Sequence, residues 1–294
     1  MPGAKQQNLL PPELVAQLER LELVTRKIFR GRMKGERRSQ RKGQSVEFAD
    51  FRNYVAGDDL RTLDWNLYAR LDKLIVKLFL EEEDLHFYTL IDASPSMDFG
   101  EPTKLDYAKQ VAAALGYVGL SRADRVRVET LAGQRSPVLR GRRSVSRLVD
   151  FLSTVSPDET TSLEEGVRQF CLRNSGRGVV VLLTDLMDKS GYESALRYLV
   201  AQRMDVYVMQ VLSQEEIDPD VAGDLKLVDC EDQDAAEITV SAPLLARYKR
   251  TLESFTSTAQ EYCGKRGMNY LLTSTETPVR ELLANYLRKR GLVR

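Results

Sequence analysis

The chain has 294 residues, 43% hydrophobic and 29% charged, with 43 basic and 43 acidic side chains. Such a length and composition fit one large or two modest folded domains with a full core, and no apolar run approaches the ~18 residues of a membrane span. One histidine, His86, and three scattered cysteines, Cys171, Cys230 and Cys263, exclude sites built on paired imidazoles or zinc-type cysteine spacing.

The opening stretch, MPGAKQQNLLPPE, lacks a basic-then-apolar leader pattern. A cytoplasmic protein with reduced thiols is expected. Leu14, Leu18, Leu21 and Ile28 recur at helical spacing after Pro11-Pro12, which predicts a helix over 12–29. Residues 30–43 then hold seven basic side chains and one acidic. No aromatic platform or recognition-helix pattern accompanies them, so a solvated loop is expected rather than a nucleic-acid site. LIVKLF, at 74–79, reads as a strand.

From His86 onward strands and helices alternate. Strands are expected at 86–91, 125–131, 137–140, 179–184, 205–212 and 269–273. Helices are expected near 104–120, 143–154, 162–173, 190–202, 243–264 and 278–290. Residues 215–237 carry ten acidic side chains and one basic, and LKLVD (225–229) and EITVS (237–241) suggest the arms of a small hairpin. They lack the Asp-x-Asp-x-Asp-Gly calcium loop. The alternation predicts a doubly wound, mostly parallel α/β sheet covered on both faces, over 86–294, with an N-terminal helical and strand extension over 1–85.

In such a sheet ligands bind beyond the carboxyl ends of the strands. Two apolar strands end in aspartate there, HFYTLI before Asp92 and VVVLLT before Asp185. Asp92-Ala93-Ser94-Pro95-Ser96 alternates oxygen side chains in a tight turn, and Thr160-Thr161-Ser162 begins a helix. Carboxylates with neutral hydroxyls suit a hard cation such as Mg²⁺, and Mn²⁺ or Ca²⁺ accept the same donors. A cation so held keeps an open position for an anionic ligand, such as an Asp or Glu of a partner protein. The bland alternative makes Asp185, Thr161 and Ser162 ordinary turn and helix-cap residues.

Asp92, Ser94, Ser96, Thr161 and Asp185 resemble the metal-ion-dependent adhesion site of von Willebrand factor A domains, with Leu186 where that motif has glycine. The run from Phe51 to Arg70, with Arg52-x-Tyr54, Gly57-Asp58, Arg61, Asp64-Trp65 and Ala69-Arg70, resembles the signature of a bacterial domain-of-unknown-function family. That family pairs an A-like fold with MoxR-type AAA+ ATPases. The likeness covers about residues 35–190 and implies a metal-dependent binding module, not an enzyme, that serves a chaperone-like ATPase. Arg52, Asp58, Arg61, Asp64, Trp65 and Arg70 are then candidates for a partner surface. Their alternative is structural: an Asp64–Arg pair and a buried Trp65 locking the segment onto the sheet. Two other functions compete. One is a Mg²⁺-dependent phosphohydrolase with Asp92 as nucleophile, for which the helpful acid two residues on is only Ser94. The other is a metal-free scaffold binding through residues 1–45.

Overall fold

The computed structural model describes residues 9–20, 46–81, 86–157, 162–174, 178–202, 204–228, 235–288 and 292–293. The basic run 30–43, Thr160 and Thr161 lie outside the described residues. The chain forms two compact units, one of Met1–Lys27 with Leu85–Arg294 and one of Ile28–Asp84. Of the 1–85 segment read as one extension, the described residues 9–20 group with the large sheet and 46–81 do not.

Helix α1 (Pro12–Leu18) starts with Pro12 in its first turn, where a missing N–H costs nothing. It buries Leu14 and Leu18 and closes in a turn at Glu19-Arg20. Glu19 turns out to meet Arg142 at 2.9 Å, and residues 21–29 lie outside the described residues.

The smaller unit pairs β1 (Val46–Asn53) with β2 (Ile75–Glu81) in an antiparallel ribbon. Sequence reading finds β2 and misses β1. A register shift between Phe48 and Asp50 breaks the period-two pattern that would have marked it. Between the strands lies α2 (Trp65–Leu71), also missed, because seven residues are too few to display a helical stripe.

In the larger unit β3 (His86–Ile91) leads into α3 (Lys104–Ser121). Then come β4 (Arg125–Thr130), β5 (Leu139–Arg140), α4 (Val145–Thr154), α5 (Leu163–Arg173) and β6 (Gly178–Thr184). Next are α6 (Glu193–Ala201), β7 (Met204–Leu212) and α7 (Gln214–Ile217). A separate hairpin, β8 (Gly223–Val228) and β9 (Ala235–Val240), falls where the acidic segment suggested one. The chain continues as α8 (Ala242–Lys265), β10 (Asn269–Ser274) and α9, a turn at Val279–Glu281 that widens into a π-helical turn at Leu282–Leu287.

The six strands lie in the order β10-β7-β6-β3-β4-β5, all parallel except β5. Side chains alternate across the sheet and feed two cores. Phe87, Ile91, Val179, Val181 and Leu183 face α1, α3, α4 and α9. Tyr88, Leu90, Val180 and Leu182 face α5, α6 and α8. This two-sided cover explains why β6 is an unbroken apolar run: all seven of its residues are buried. Each buried Val or Leu contributes roughly 1.5–3 kcal/mol of transfer free energy. Strand order reverses between β3 and β6, so the loops after them flank the crevice of the sheet.

Candidate metal centre

Those two loops carry Asp92 and Asp185. Asp92 follows β3 directly, its backbone N–H donating to Leu183 of β6 at 2.9 Å. Asp185 follows β6, and both aspartates are buried, 7% and 2% exposed. Asp92 Oδ1 accepts the Ser94 N–H at 3.0 Å, an Asx turn that folds the chain back at once. Pro95 then starts a short 3₁₀ turn, Pro95–Met97, anchored by the buried Met97. This geometry sets Ser94 Oγ 2.9 Å from Ser96 Oγ, with both side chains partly open.

The second loop is as closely held. Thr184 Oγ1 donates to Asp92 Oδ2 at 2.7 Å and accepts the Leu186 N–H at 3.1 Å. Asp185 Oδ1 accepts the Met187 N–H at 3.0 Å. The Asp185 carbonyl accepts from Gln210 Nε2 at 2.8 Å, and Gln210 in turn accepts from the Tyr270 hydroxyl. Leu186 stands at φ +61°, in the left-handed region that favours glycine. For a residue with a Cβ this costs roughly 1–2 kcal/mol. The Leu186 side chain, 1% exposed within the second core, offsets it.

Burial pushes the Asp92 carboxyl above its ordinary range, and the neighbouring Asp185 charge adds to the push against the hydrogen bonds from Thr184 and Ser94. Among the described residues no cationic side chain pairs with Asp92. Asp185 does have one. Lys104, at the start of α3 and 1% exposed, donates to Asp185 Oδ2 at 2.8 Å and to Glu216 Oε1 of α7 at 2.6 Å. Burial acts to lower the Lys104 pKa, but the two carboxylates outweigh it and hold the amine above its usual range.

Whether these residues suit a divalent ion is a matter of donors and spacing. Two oxygens at neighbouring corners of an octahedron with ~2.1 Å bonds lie about 3.0 Å apart, close to the 2.9 Å at which the Ser94 and Ser96 hydroxyls share a hydrogen bond. Every donor is a hard oxygen, and each Asp92 oxygen has a second lone pair to offer. Among the described residues no three His, Cys, Asp or Glu side chains converge on a common metal position. Any ion here would therefore lean on hydroxyls and water as much as on carboxylate, as Mg²⁺ tolerates. Asp92, Ser94, Ser96 and Asp185 fit such an ion. The fifth expected donor, Thr161, lies outside the described residues. The next residue, Ser162, caps α5 through a 3.3 Å bond from the Glu165 N–H, and Asp188 Oδ2 accepts the Leu163 N–H at 2.7 Å. The start of α5 is thereby tied to the loop after β6.

Lys104, Thr184 and Glu216 were not singled out in the sequence. One signal was available for Lys104, which sits on the same helical stripe as Ala108, Val111 and Leu115 and so had to be buried.

The signature residues of the smaller unit divide into two groups. Arg52 grips Asp58 with two bonds of 2.7 and 2.6 Å, and Asp58 Oδ2 also accepts the Val55 N–H at 2.9 Å. The Arg52 hydrogen bond holds the Asp58 carboxyl below its ordinary value. Asp64 caps α2 through the Asn66 and Leu67 N–H groups at 3.0 and 3.1 Å. Its ion-pair partner is Lys77 at 3.0 Å and not an arginine, and this bond lowers the Asp64 pKa. Trp65, expected to be buried under the structural reading, is 59% exposed, with the edge of Tyr68 beside it. Arg61 and Arg70 are exposed too. The first group makes local structural contacts; in the second, Trp65 and Arg70 lie on α2, Arg61 lies in the turn before it, and all three are exposed.

The chain is similar to several solved structures. It resembles the conserved hypothetical protein BatB from Bacteroides thetaiotaomicron at 15% identity and a TM-score of 0.42, covering 70% of this chain and 98% of that one. It resembles an aerotolerance-related membrane protein from Bacteroides fragilis at 16% identity and 0.43, covering 70% and 99%. In sequence it is 28% identical over 249 residues to uncharacterised proteins of Mycobacterium bovis and Mycobacterium tuberculosis, covering 81% of this chain and 78% of theirs. Residues 50–256 match the family model described as protein of unknown function DUF58, a span that takes in both the Arg52–Arg70 signature and the Asp92–Asp185 loops, and the chain belongs to that family.

Proposed function

We propose that the chain is a metal-dependent protein-binding module with a von Willebrand factor A-like sheet. The observation that carries the reading is the loop in which Ser94 and Ser96 hydroxyls lie 2.9 Å apart just after Asp92, with the Asp185 charge acting on Asp92, where strand order reverses. Two buried carboxylates there crowd negative charge, and Asp92 has no cationic partner among the described residues. A divalent ion would relieve that crowding. Held largely by hydroxyls and water, it would keep enough charge to recruit an anionic ligand from outside. We take that ligand to be an Asp or Glu of a partner protein. The partner we favour is an AAA+ ATPase of the MoxR type, on the strength of the signature resemblance alone.

Hydrolysis is the weaker reading. Hydrolysis by a nucleophilic Asp92 would be helped by an acid two residues on to protonate the leaving group, and that position is Ser94, whose hydroxyl is a poor general acid near pH 7.

The test is capture of partners on the tagged full chain, with Mg²⁺, with EDTA, and with Asp92→Ala, followed by mass spectrometry. The reading requires a partner held in the first arm and lost in the other two, with an AAA+ ATPase as the expected identity. The same partners in all three arms would end it and move attention to residues 1–45.

A further inference from the structure

The cation that faces Asp185 in this structure is one the chain supplies itself. Lys104 sits between Asp185 Oδ2 and Glu216 Oε1, at 2.8 and 2.6 Å, bridging positions 81 and 112 residues away. Its side chain and that of Asp185 are 1% and 3% exposed. Such a group is held together by mutual neutralisation, and deleting one member strands the charge of another. Each partner is fixed independently. Asp185 Oδ1 accepts the Met187 N–H. Glu216 Oε2 accepts the Ser213 N–H at 2.8 Å while Ser213 Oγ accepts the Glu216 N–H, a reciprocal cap on α7. Lys104 thus cannot follow a retreating Asp185 without loosening its hold on α7.

Asp185 is also a carboxylate that the reading above assigns to the divalent ion. We propose, resting on that reading, that Lys104 is a positioning residue which competes with the metal for Asp185 and lowers the affinity of the site. Two cations on one carboxylate repel. In a medium of effective dielectric ~20 such a like-charge repulsion at close range exceeds the ~1.4 kcal/mol of a factor of ten in binding. Glu216 moderates the competition by drawing part of the ammonium charge to itself. Metal uptake is therefore coupled, through Lys104 and Glu216, to the seating of α7 at the base of the β8–β9 hairpin.

The experiment is a titration of the full chain with Mn²⁺ alone, following the free ion by electron paramagnetic resonance. Lys104→Met should bind Mn²⁺ about tenfold tighter or more than the unaltered chain. Lys104→Arg, which keeps the charge, should show none of that gain. Glu216→Gln should bind several-fold more weakly, because the whole ammonium charge then falls on Asp185. A folded Lys104→Met, judged by far-ultraviolet circular dichroism, with equal or weaker affinity overturns the proposal while leaving the metal reading intact. If Lys104→Met does not fold, Glu216→Gln decides, and unchanged affinity there overturns it. Absence of Mn²⁺ binding in every form, or binding that survives Asp92→Ala, overturns both.

Discussion

Asparagine at Asp92 removes a charge and keeps the shape. Its oxygen can still accept from the Ser94 N–H, and its amide can face Thr184 Oγ1, whose hydroxyl rotates away. Burial, helped by Asp185, raises the Asp92 carboxyl in the folded state, whereas the unfolded chain releases that proton near pH 3.9. Folded protein thus holds more protons than unfolded between those two values. Stability of the metal-free protein is then full below the unfolded value and is lost as pH rises through the folded one. A neutral asparagine should therefore stabilise the metal-free chain at pH 8; relieving a poorly compensated buried polar group is worth on the order of 1–3 kcal/mol, which for a unit of this size raises Tm by roughly 2–10 °C. The assay is thermal denaturation in EDTA at pH 5 and pH 8, where the advantage of Asp92→Asn should shrink at the lower pH. Excess Mg²⁺ should reverse the order, since an ion at about 100 times its Kd adds about 2.7 kcal/mol to the unaltered chain only. A lower Tm for Asp92→Asn at pH 8 in EDTA would refute the reasoning, because it would mean the charged carboxylate stabilises the empty site.

Gly178→Ala should cost about 3 kcal/mol or more in urea denaturation, because a Cβ there would lie 1.9 Å from the His86 carbonyl oxygen; a near-neutral result would mean β3 and β6 are not so closely paired. Leu186→Gly trades roughly 1–2 kcal/mol of relieved strain against a larger loss of buried side chain, so a net destabilisation of about 1–3 kcal/mol is expected, and a stabilised variant would contradict it. Trp65→Ala should change stability by no more than about 0.5 kcal/mol, since the ring is 59% exposed; a loss near 3–5 kcal/mol would restore the buried placement. Asp58 and Asp64 both lie below their ordinary pKa values, so the pairing they give is present above the unfolded carboxylate range and is lost as pH falls through their folded values. Hydrogen exchange over residues 46–81 should therefore accelerate, beyond its intrinsic pH dependence, below about pH 4, and acid-insensitive protection would count against those pairs.

The large sheet was legible because its strands are pure in pattern. HFYTLI and VVVLLT are short, branched and bounded by aspartate, and their burial on both faces leaves no competing signal. The Asp92–Ser96 loop was legible for a related reason: the side-chain spacing that makes the Asx turn is local. What sequence could not reveal depends on contacts between distant residues. Lys104 finds Glu216 across 112 positions, and nothing near either residue announces the other. β1 was hidden by its own bulge, and α2 by its length. Trp65 was misplaced because a large aromatic is usually at least partly buried, whereas a helix of seven residues on a two-stranded ribbon has little to bury it against.

The proposed function needs a divalent ion between these loops, and crystals of the full chain grown with Mn²⁺ and measured for anomalous scattering would locate it. A peak bonded to Ser94 Oγ and Ser96 Oγ at about 2.1–2.2 Å is expected, facing Asp92 and Asp185 and absent from Asp92→Ala crystals. Crystals with no peak at those hydroxyls, or with manganese bound only elsewhere, would contradict it.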